Sequence, residues 1–209
     1  MKLQEFTDQP TCSAIILAGG LNSRMEGRNK AFLEVGGQTI LDRLLSTLGE
    51  VFDEILLVTR QPSNYKDLPN KVKVVTDIYD KRSSLTGVHA GLTYSEAFFA
   101  FIVGCDTPFL APAVVRLLID EIEPTSDVIV SSFDTYYEPL CAIYSKRCLP
   151  YIEAQLNTDD FKIVNFFDKV NLKTIPPEKL KKVDPDLHSF FNVNTPEAYQ
   201  ASLDFTKPV

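Results

Sequence analysis

The sequence predicts an α/β fold with a mostly parallel sheet and helices on both faces. Three observations predict it. Short apolar runs alternate with stretches of helical periodicity from residue 14 to about residue 130. Polar or glycine-rich features fall at the carboxyl ends of four of those runs, the edge where such sheets bind ligands. The chain has 209 residues, 44% hydrophobic and 23% charged, which suits one such domain better than two.

The elements follow in order. Ala14-Ile15-Ile16-Leu17 reads as a buried first strand. A loop from Leu17 to Lys30 carries the adjacent glycines Gly19 and Gly20. Ala31 to Val35 is short and apolar, and Gly36-Gly37 closes it as a turn. Ile40, Leu41, Leu44, Leu45 and Leu48 predict a helix ending near Gly49. Glu54 to Thr59 and Lys71 to Thr76 are the second and third strands. After a polar loop, a helix runs through His89, Leu92 and Ala97. Ala100 to Gly104 is the fourth strand, followed by a helix through Val114, Leu117, Leu118 and Ile122, then a fifth strand at Asp127 to Val130.

The last third is less regular. Pro139 to Tyr144 is a strand, and Ser145 is placed to cap a helix to about Leu156. Phe161 to Val170 is a second helical stretch, and Phe190 to Asn194 is extended. Thr195-Pro196-Glu197 starts a terminal helix, with Thr as cap and Pro in the first turn. Residues 1–12 read as a loose leader and 13–209 as a single domain, with no repeat or linker.

Composition excludes several classes. No apolar run approaches the ~20 residues of a membrane helix, and the first residues lack the apolar core of a secretory signal, so a cytoplasmic location is expected. The net charge of −7 argues against a broad nucleic-acid surface. The four cysteines show no C-x-x-C pair, which leaves a zinc or redox site unsupported. Two histidines without a signature context offer no nucleophile set for covalent catalysis.

What remains points to phosphate chemistry. Glycines bring a backbone close to a ligand, and exposed N–H groups in such a turn make an anion site. Arg24, Arg28 and Lys30 concentrate positive charge there in an acidic chain. The plain alternative is a tight turn with solvated basic side chains. Asp106, ending a strand ahead of Thr107-Pro108, is either a turn cap or a ligand for Mg²⁺, which takes one or two carboxylates plus phosphate oxygens. Asp77 has the same two readings.

The pattern Leu17-Ala18-Gly19-Gly20-x-x-x-Arg24-Met25-x-Gly27-x-x-Lys30 resembles the signature loop of nucleotidylyltransferases. Within them the chain is similar to the molybdenum cofactor guanylyltransferases, MobA. Ser84-Leu85-Thr86-Gly87, Gly104-Cys105-Asp106-Thr107-Pro108 and Phe191-Asn192-Val193-Asn194-Thr195-Pro196-Glu197 agree in order and spacing.

The resemblance implies a Rossmann-like three-layer fold. It implies transfer of GMP from GTP to the terminal phosphate of Mo-molybdopterin, with Mg²⁺ as cofactor. It implies roles by position: Leu17, Ala18, Gly19 and Gly20 toward guanine and phosphates, Arg24 and Lys30 on phosphates, Thr59 and Asp77 lining the guanosine site, Asp106 on Mg²⁺, and Asn192 and Asn194 on the acceptor side. Molybdopterin-handling proteins and apo-molybdoenzymes or their chaperones are the implied protein partners.

Departures from the family pattern are Glu26 and Asn29 for Gly and Asp, Ser83-Ser84 for Gly-Pro, Thr86 for Ala, and Thr59 where some members have Asn. The serines drift toward the related cytidylyltransferases, but Leu17-Ala18-Gly19-Gly20 differs from their Leu-Ala-Ala-Gly and favours guanine. Transfer to another phosphorylated acceptor, or nucleotide binding without turnover, are the alternatives.

Overall fold

The computed structural model describes residues 11–19 and 29–206. Among the described residues, strand β1 (Cys12–Leu17) is followed by a short hairpin, β2 (Glu34–Val35) and β3 (Gln38–Thr39). Its turn residues Gly36 and Gly37 both have positive φ, 61° and 79°, the conformation that two-residue hairpins take and that glycine adopts freely. Thr39 then caps α1 (Ile40–Gly49), its hydroxyl accepting from the Asp42 N–H.

Next come β4 (Ile55–Val58), β5 (Val72–Val75), α2 (Ser84–Tyr94), β6 (Phe99–Gly104) and α3 (Pro112–Asp120). The hairpin β7 (Val128–Phe133) and β8 (Tyr136–Ser145), α4 (Leu149–Leu156), β9 (Leu172–Ile175), α5 (Pro177–Leu180) and α6 (Pro196–Asp204) complete the chain.

The main sheet has the order β5-β4-β1-β6-β8-β7-β9. β5, β4, β1 and β6 are parallel neighbours, and β7 and β9 pair in parallel. β8 runs against both β6 and β7. Alternation along each strand splits the core in two. Ala14, Ile16, Leu57, Phe101 and Val103 face α1 and α3. Ile15, Leu56, Ala100, Ile102 and Tyr144 face α2 and α4. The expected three layers are therefore present. Fully burying a large apolar side chain such as Phe101 contributes about 1.5–3 kcal/mol, and the two faces hold many of them.

Connectivity fixes where a ligand can sit. From β1 the chain moves outward to β4 and β5, then crosses by α2 to β6 on the other side of β1. The carboxyl ends of β1 and β6 thus flank the point where strand order reverses, the crevice position in open α/β sheets. α2 lies close against β1 because of Gly91. A Cβ there would stand 2.6 Å from Ile15 Cγ2, a stiff β-branched position.

Several elements differ from the sequence expectation. α2 ends at Tyr94 instead of continuing through Ala97, because Ser95 leaves helical geometry and its hydroxyl donates to Ser13 Oγ. Ser145 caps no α-helix: it pairs with Phe99 as the end of β8 and its hydroxyl donates to Asp127 Oδ1. A 3₁₀ turn follows it, and α4 begins at Leu149 with Pro150 in its first turn. Ile163–Lys169 is a 3₁₀ helix, although Ile163, Phe166 and Phe167 are buried as expected. β9, α5 and the residues of β8 before Pro139 were not anticipated. β9 is half-exposed at the sheet edge, so its apolar signal is weak. Among the described residues, no helix is long and apolar enough to cross a membrane.

Candidate active site

The site begins where β1 ends. The Leu17 carbonyl accepts from the Cys105 N–H (3.1 Å), and the Ala18 N–H donates to Val58 O (2.9 Å). The Thr59 hydroxyl donates to Ala18 O (3.3 Å) while its N–H donates to Val75 O (2.9 Å). The ends of β1, β4, β5 and β6 are thereby tied into one rim. Gly19 sits on it, and a Cβ added there would meet nothing within 4 Å among the described residues. Gly20 and Arg24, both expected to act on phosphates, lie outside the described residues.

The chain is described again from Asn29. The Asn29 side chain accepts from the Ala31 N–H (3.1 Å) and donates to the Tyr65 hydroxyl (2.9 Å), anchoring a one-turn 3₁₀ helix, Lys30–Phe32. Asn29, a departure from the family pattern, therefore has a structural use. It directs the next residue inward. Lys30 Nζ donates to Asn194 Oδ1 (2.5 Å) and lies 3.9 Å from Asp106 Oδ2.

Asp106 follows β6 in a tight turn closed by the Thr107 hydroxyl on Gly104 O (2.9 Å). A Cβ at Gly104 would stand 2.5 Å from Asp106 Oδ1, so a side chain there would push that carboxylate out of its present position. The Asp106 carbonyl accepts from the Val193 N–H (2.7 Å), which docks the 192–194 segment onto the site. Burial pushes the Asp106 carboxyl above the ordinary range, opposed by the Lys30 cation and a hydrogen bond from Asn194.

Lys30, Asp106 and Asn194 thus converge. Asn192 does not join them with its side chain, which donates to Phe190 O (3.3 Å). Thr59 stands on the rim with Ala18. Asp77 is 8% exposed at the outer end of that rim, its Oδ2 accepting from Arg60 Nε (2.6 Å). The Thr86 hydroxyl, another departure, is used in a capping box with Ser83 at the start of α2.

Sequence reasoning missed Arg60 and Glu138. The β6–β8 pairing stops at Val103 and Cys141, while β7–β8 continues to Phe133 and Tyr136 past a register shift after Val130. The hairpin therefore flares beyond the end of β6 and brings Glu138 near Asp106. Its only sequence signal was a place just before a predicted strand. Burial first, and the Asp106 carboxylate second, push the Glu138 carboxyl up from 4.5 to about 7.

A carboxyl raised in the folded state opposes folding once it ionises. The penalty is absent below pH 4.5, grows as pH rises to about 7 and is then constant. In metal-free buffer, Glu138→Gln is expected to raise Tm at pH 8 but not at pH 4. Equal shifts at both pH values would refute this.

The donor set suits Mg²⁺ shared with a polyphosphate. Among the described residues no three acidic, His or Cys groups form a cage. One partly buried carboxylate beside an open rim matches a cation that keeps phosphate and water ligands. Thiol chemistry has no support. All four cysteines are free, and burial pushes Cys12, Cys105 and Cys148 up to about 12 and Cys141 higher still.

Residues 14–170 match the MobA-like NTP transferase domain. The molybdenum cofactor guanylyltransferase of Desulfosudis oleivorans is 43% identical over 185 residues, 88% of this chain and 91% of that protein. The probable molybdenum cofactor guanylyltransferase of Natranaerobius thermophilus is 35% identical over 88% of this chain and 91% of its own length. The crystal structure of molybdopterin-guanine dinucleotide biosynthesis protein A from Archaeoglobus fulgidus superposes with a TM-score of 0.82 at 25% identity, covering 92% of this chain and 97% of that one. The fold, the rim of strand ends and these relatives agree: the chain belongs to the MobA-like NTP transferase family.

Proposed function

We propose that this protein transfers GMP from GTP to the terminal phosphate of Mo-molybdopterin, releasing pyrophosphate, through one nucleotidylyltransferase domain over residues 13–209 acting in the cytoplasm. The observation that carries it is the meeting of Lys30, Asp106 and Asn194 at the point where strand order reverses.

The chemistry needs little from a protein base, because the acceptor phosphate is already an anion. One of its oxygens attacks the α-phosphorus in line. The bond from that phosphorus to the bridging oxygen of pyrophosphate breaks, and pyrophosphate leaves with the electron pair. Two tasks remain: overcoming repulsion between anions, and stabilising charge on the leaving group. Lys30, with Arg24, answers both on the phosphates, and the backbone of Leu17, Ala18, Gly19 and Gly20 approaches the nucleotide. Thr59 and Asp77 line the guanosine end. Asp106 would hold Mg²⁺, which would supply further charge neutralisation. Asn194, hydrogen-bonded to Lys30, fixes the direction of that cation, and Asn192 shapes the acceptor side.

For the acceptor, a cavity of about 990 Å³ opens beside the flared β7–β8 hairpin. Phe133, Tyr137, Phe161, Lys162 and Glu138 line it. Aromatic walls suit a planar pterin, and Lys162 suits its phosphate. The product passes to molybdopterin-handling proteins and apo-molybdoenzymes or their chaperones.

The test is guanylyl transfer with purified molybdopterin, with and without Mg²⁺, with GTP and CTP competing in one reaction. A guanine dinucleotide product and released pyrophosphate are expected. Preferential incorporation of cytosine would overturn the choice of base, and binding without pyrophosphate release would overturn turnover itself.

A further inference from the structure

We infer that Arg60 is a positioning residue for the nucleotide base, acting through Asp77 and the loop that follows it; the inference rests on GTP being the donor. Arg60 stands directly after Thr59 at the end of β4. Its Nε donates to Asp77 Oδ2 (2.6 Å), Nη1 to Asp80 O (2.7 Å), and Nη2 to Tyr79 O (2.6 Å) and Lys81 O (2.7 Å). All three guanidinium nitrogens are thus spent on one loop, between β5 and α2.

That loop has no other internal frame. Among the described residues, none of residues 77–82 makes a backbone–backbone hydrogen bond. Three loop carbonyls are therefore gathered by a single side chain, in a fork that the planar guanidinium matches and an ammonium does not. Ile78, between the clamped residues, is 48% exposed; apart from the clamp, the segment is held by Tyr79, which packs against the core and edge-on to the His89 ring, and by the Lys81–Asp159 pair.

The clamp sets the direction of one carboxylate. Among the described residues only Oδ2 of Asp77 is engaged, and Oδ1 is left to accept from a ligand. The rim beside it runs through Thr59 to Ala18. Guanine presents two adjacent donors, N1–H and the N2 amino group. A carboxylate held in one orientation can accept from both, and cytosine offers no such pair. Arg60 touches none of the reacting atoms; its effect passes through Asp77.

The test compares GTP with inosine triphosphate, which keeps the triphosphate, ribose and N1–H but lacks the N2 amino group. Calorimetry with Mg²⁺ would be run on the wild type, Arg60→Ala and Arg60→Lys, with thermal unfolding as the folding control. The wild type is expected to bind GTP about tenfold tighter than inosine triphosphate, the size of one hydrogen bond to a charged group. Arg60→Ala is expected to bring that ratio to about one: inosine triphosphate, which keeps N1–H, loses affinity too but by less than GTP, and the phosphate contacts, being separate, are retained for both.

Arg60→Lys keeps the charge without the fork, should lower the ratio too, and carries the comparison if Arg60→Ala does not fold. A ratio unchanged in the variants, or an equal loss for both nucleotides, would overturn the inference while leaving GTP as donor. A wild type that binds CTP in preference to GTP would overturn the donor reading, and the base-positioning role with it.

Discussion

Asp106→Asn is expected to reduce nucleotidyl transfer by about 10³-fold with the fold intact, the scale of losing a central electrostatic contact. Asparagine keeps the shape and one acceptor oxygen but removes the charge that would hold Mg²⁺. Burial already opposes ionisation of Asp106, so a neutral replacement has no reason to destabilise the fold. Tm should be unchanged or higher while turnover and Mg²⁺ affinity collapse. A cavity or folding defect would lower both Tm and activity instead. Protons compete with the metal for the same oxygen. Because the Asp106 carboxyl lies above the ordinary range, Mg²⁺-dependent turnover should fall on acidification at a higher pH than an ordinary carboxylate would set. Single-turnover assays across Mg²⁺ concentration and pH check both points. Wild-type Mg²⁺ dependence in the variant would remove Asp106 from the site.

Lys30→Ala is expected to lower kcat/KM for GTP by about 10²-fold, through a weaker KM and a slower transfer step together. The side chain is 15% exposed and its ammonium is fixed by Asn194, so its orientation is set before the nucleotide arrives. Its 3.9 Å separation from Asp106 Oδ2 is at the edge of an ion pair, so the cation is not consumed by that carboxylate and stays available to phosphate. Lys30→Arg restores charge without the same reach to Asn194 and should recover part of kcat/KM. Steady-state kinetics at fixed Mg²⁺ measure the split. A pure stability loss, with unchanged kinetics in the folded fraction, would make Lys30 a structural residue.

How much of this was legible beforehand depends on the range over which each feature is encoded. Strands β1, β4 and β6 are buried on both faces, so their apolar runs stand out, and Asp106 could be placed at a strand end by counting along one run. α1 announces itself by periodicity and α6 by its cap at Thr195. β9 and the first half of β8 are partly exposed, and their status as strands depends on partners elsewhere in the sheet. The 3₁₀ helix at Ile163–Lys169 buries the expected side chains in a tighter backbone, a choice made by packing against β8 and α4.

The sequence by itself determined the α/β class, the glycine-rich loop after the first strand, and Lys30, Asp77 and Asp106 as the groups worth testing, because these are written in neighbouring residues. Only the tertiary structure decided that Lys30 meets Asn194 across 164 positions, that Asp106 is raised by burial and faced by Glu138, and that Arg60 gathers the loop after β5. The physical reason is that contact, burial and the resulting electrostatics are properties of the closed sheet. They depend on the crossover from β5 to β6 and on the flare of β8, and no local run of residues carries either.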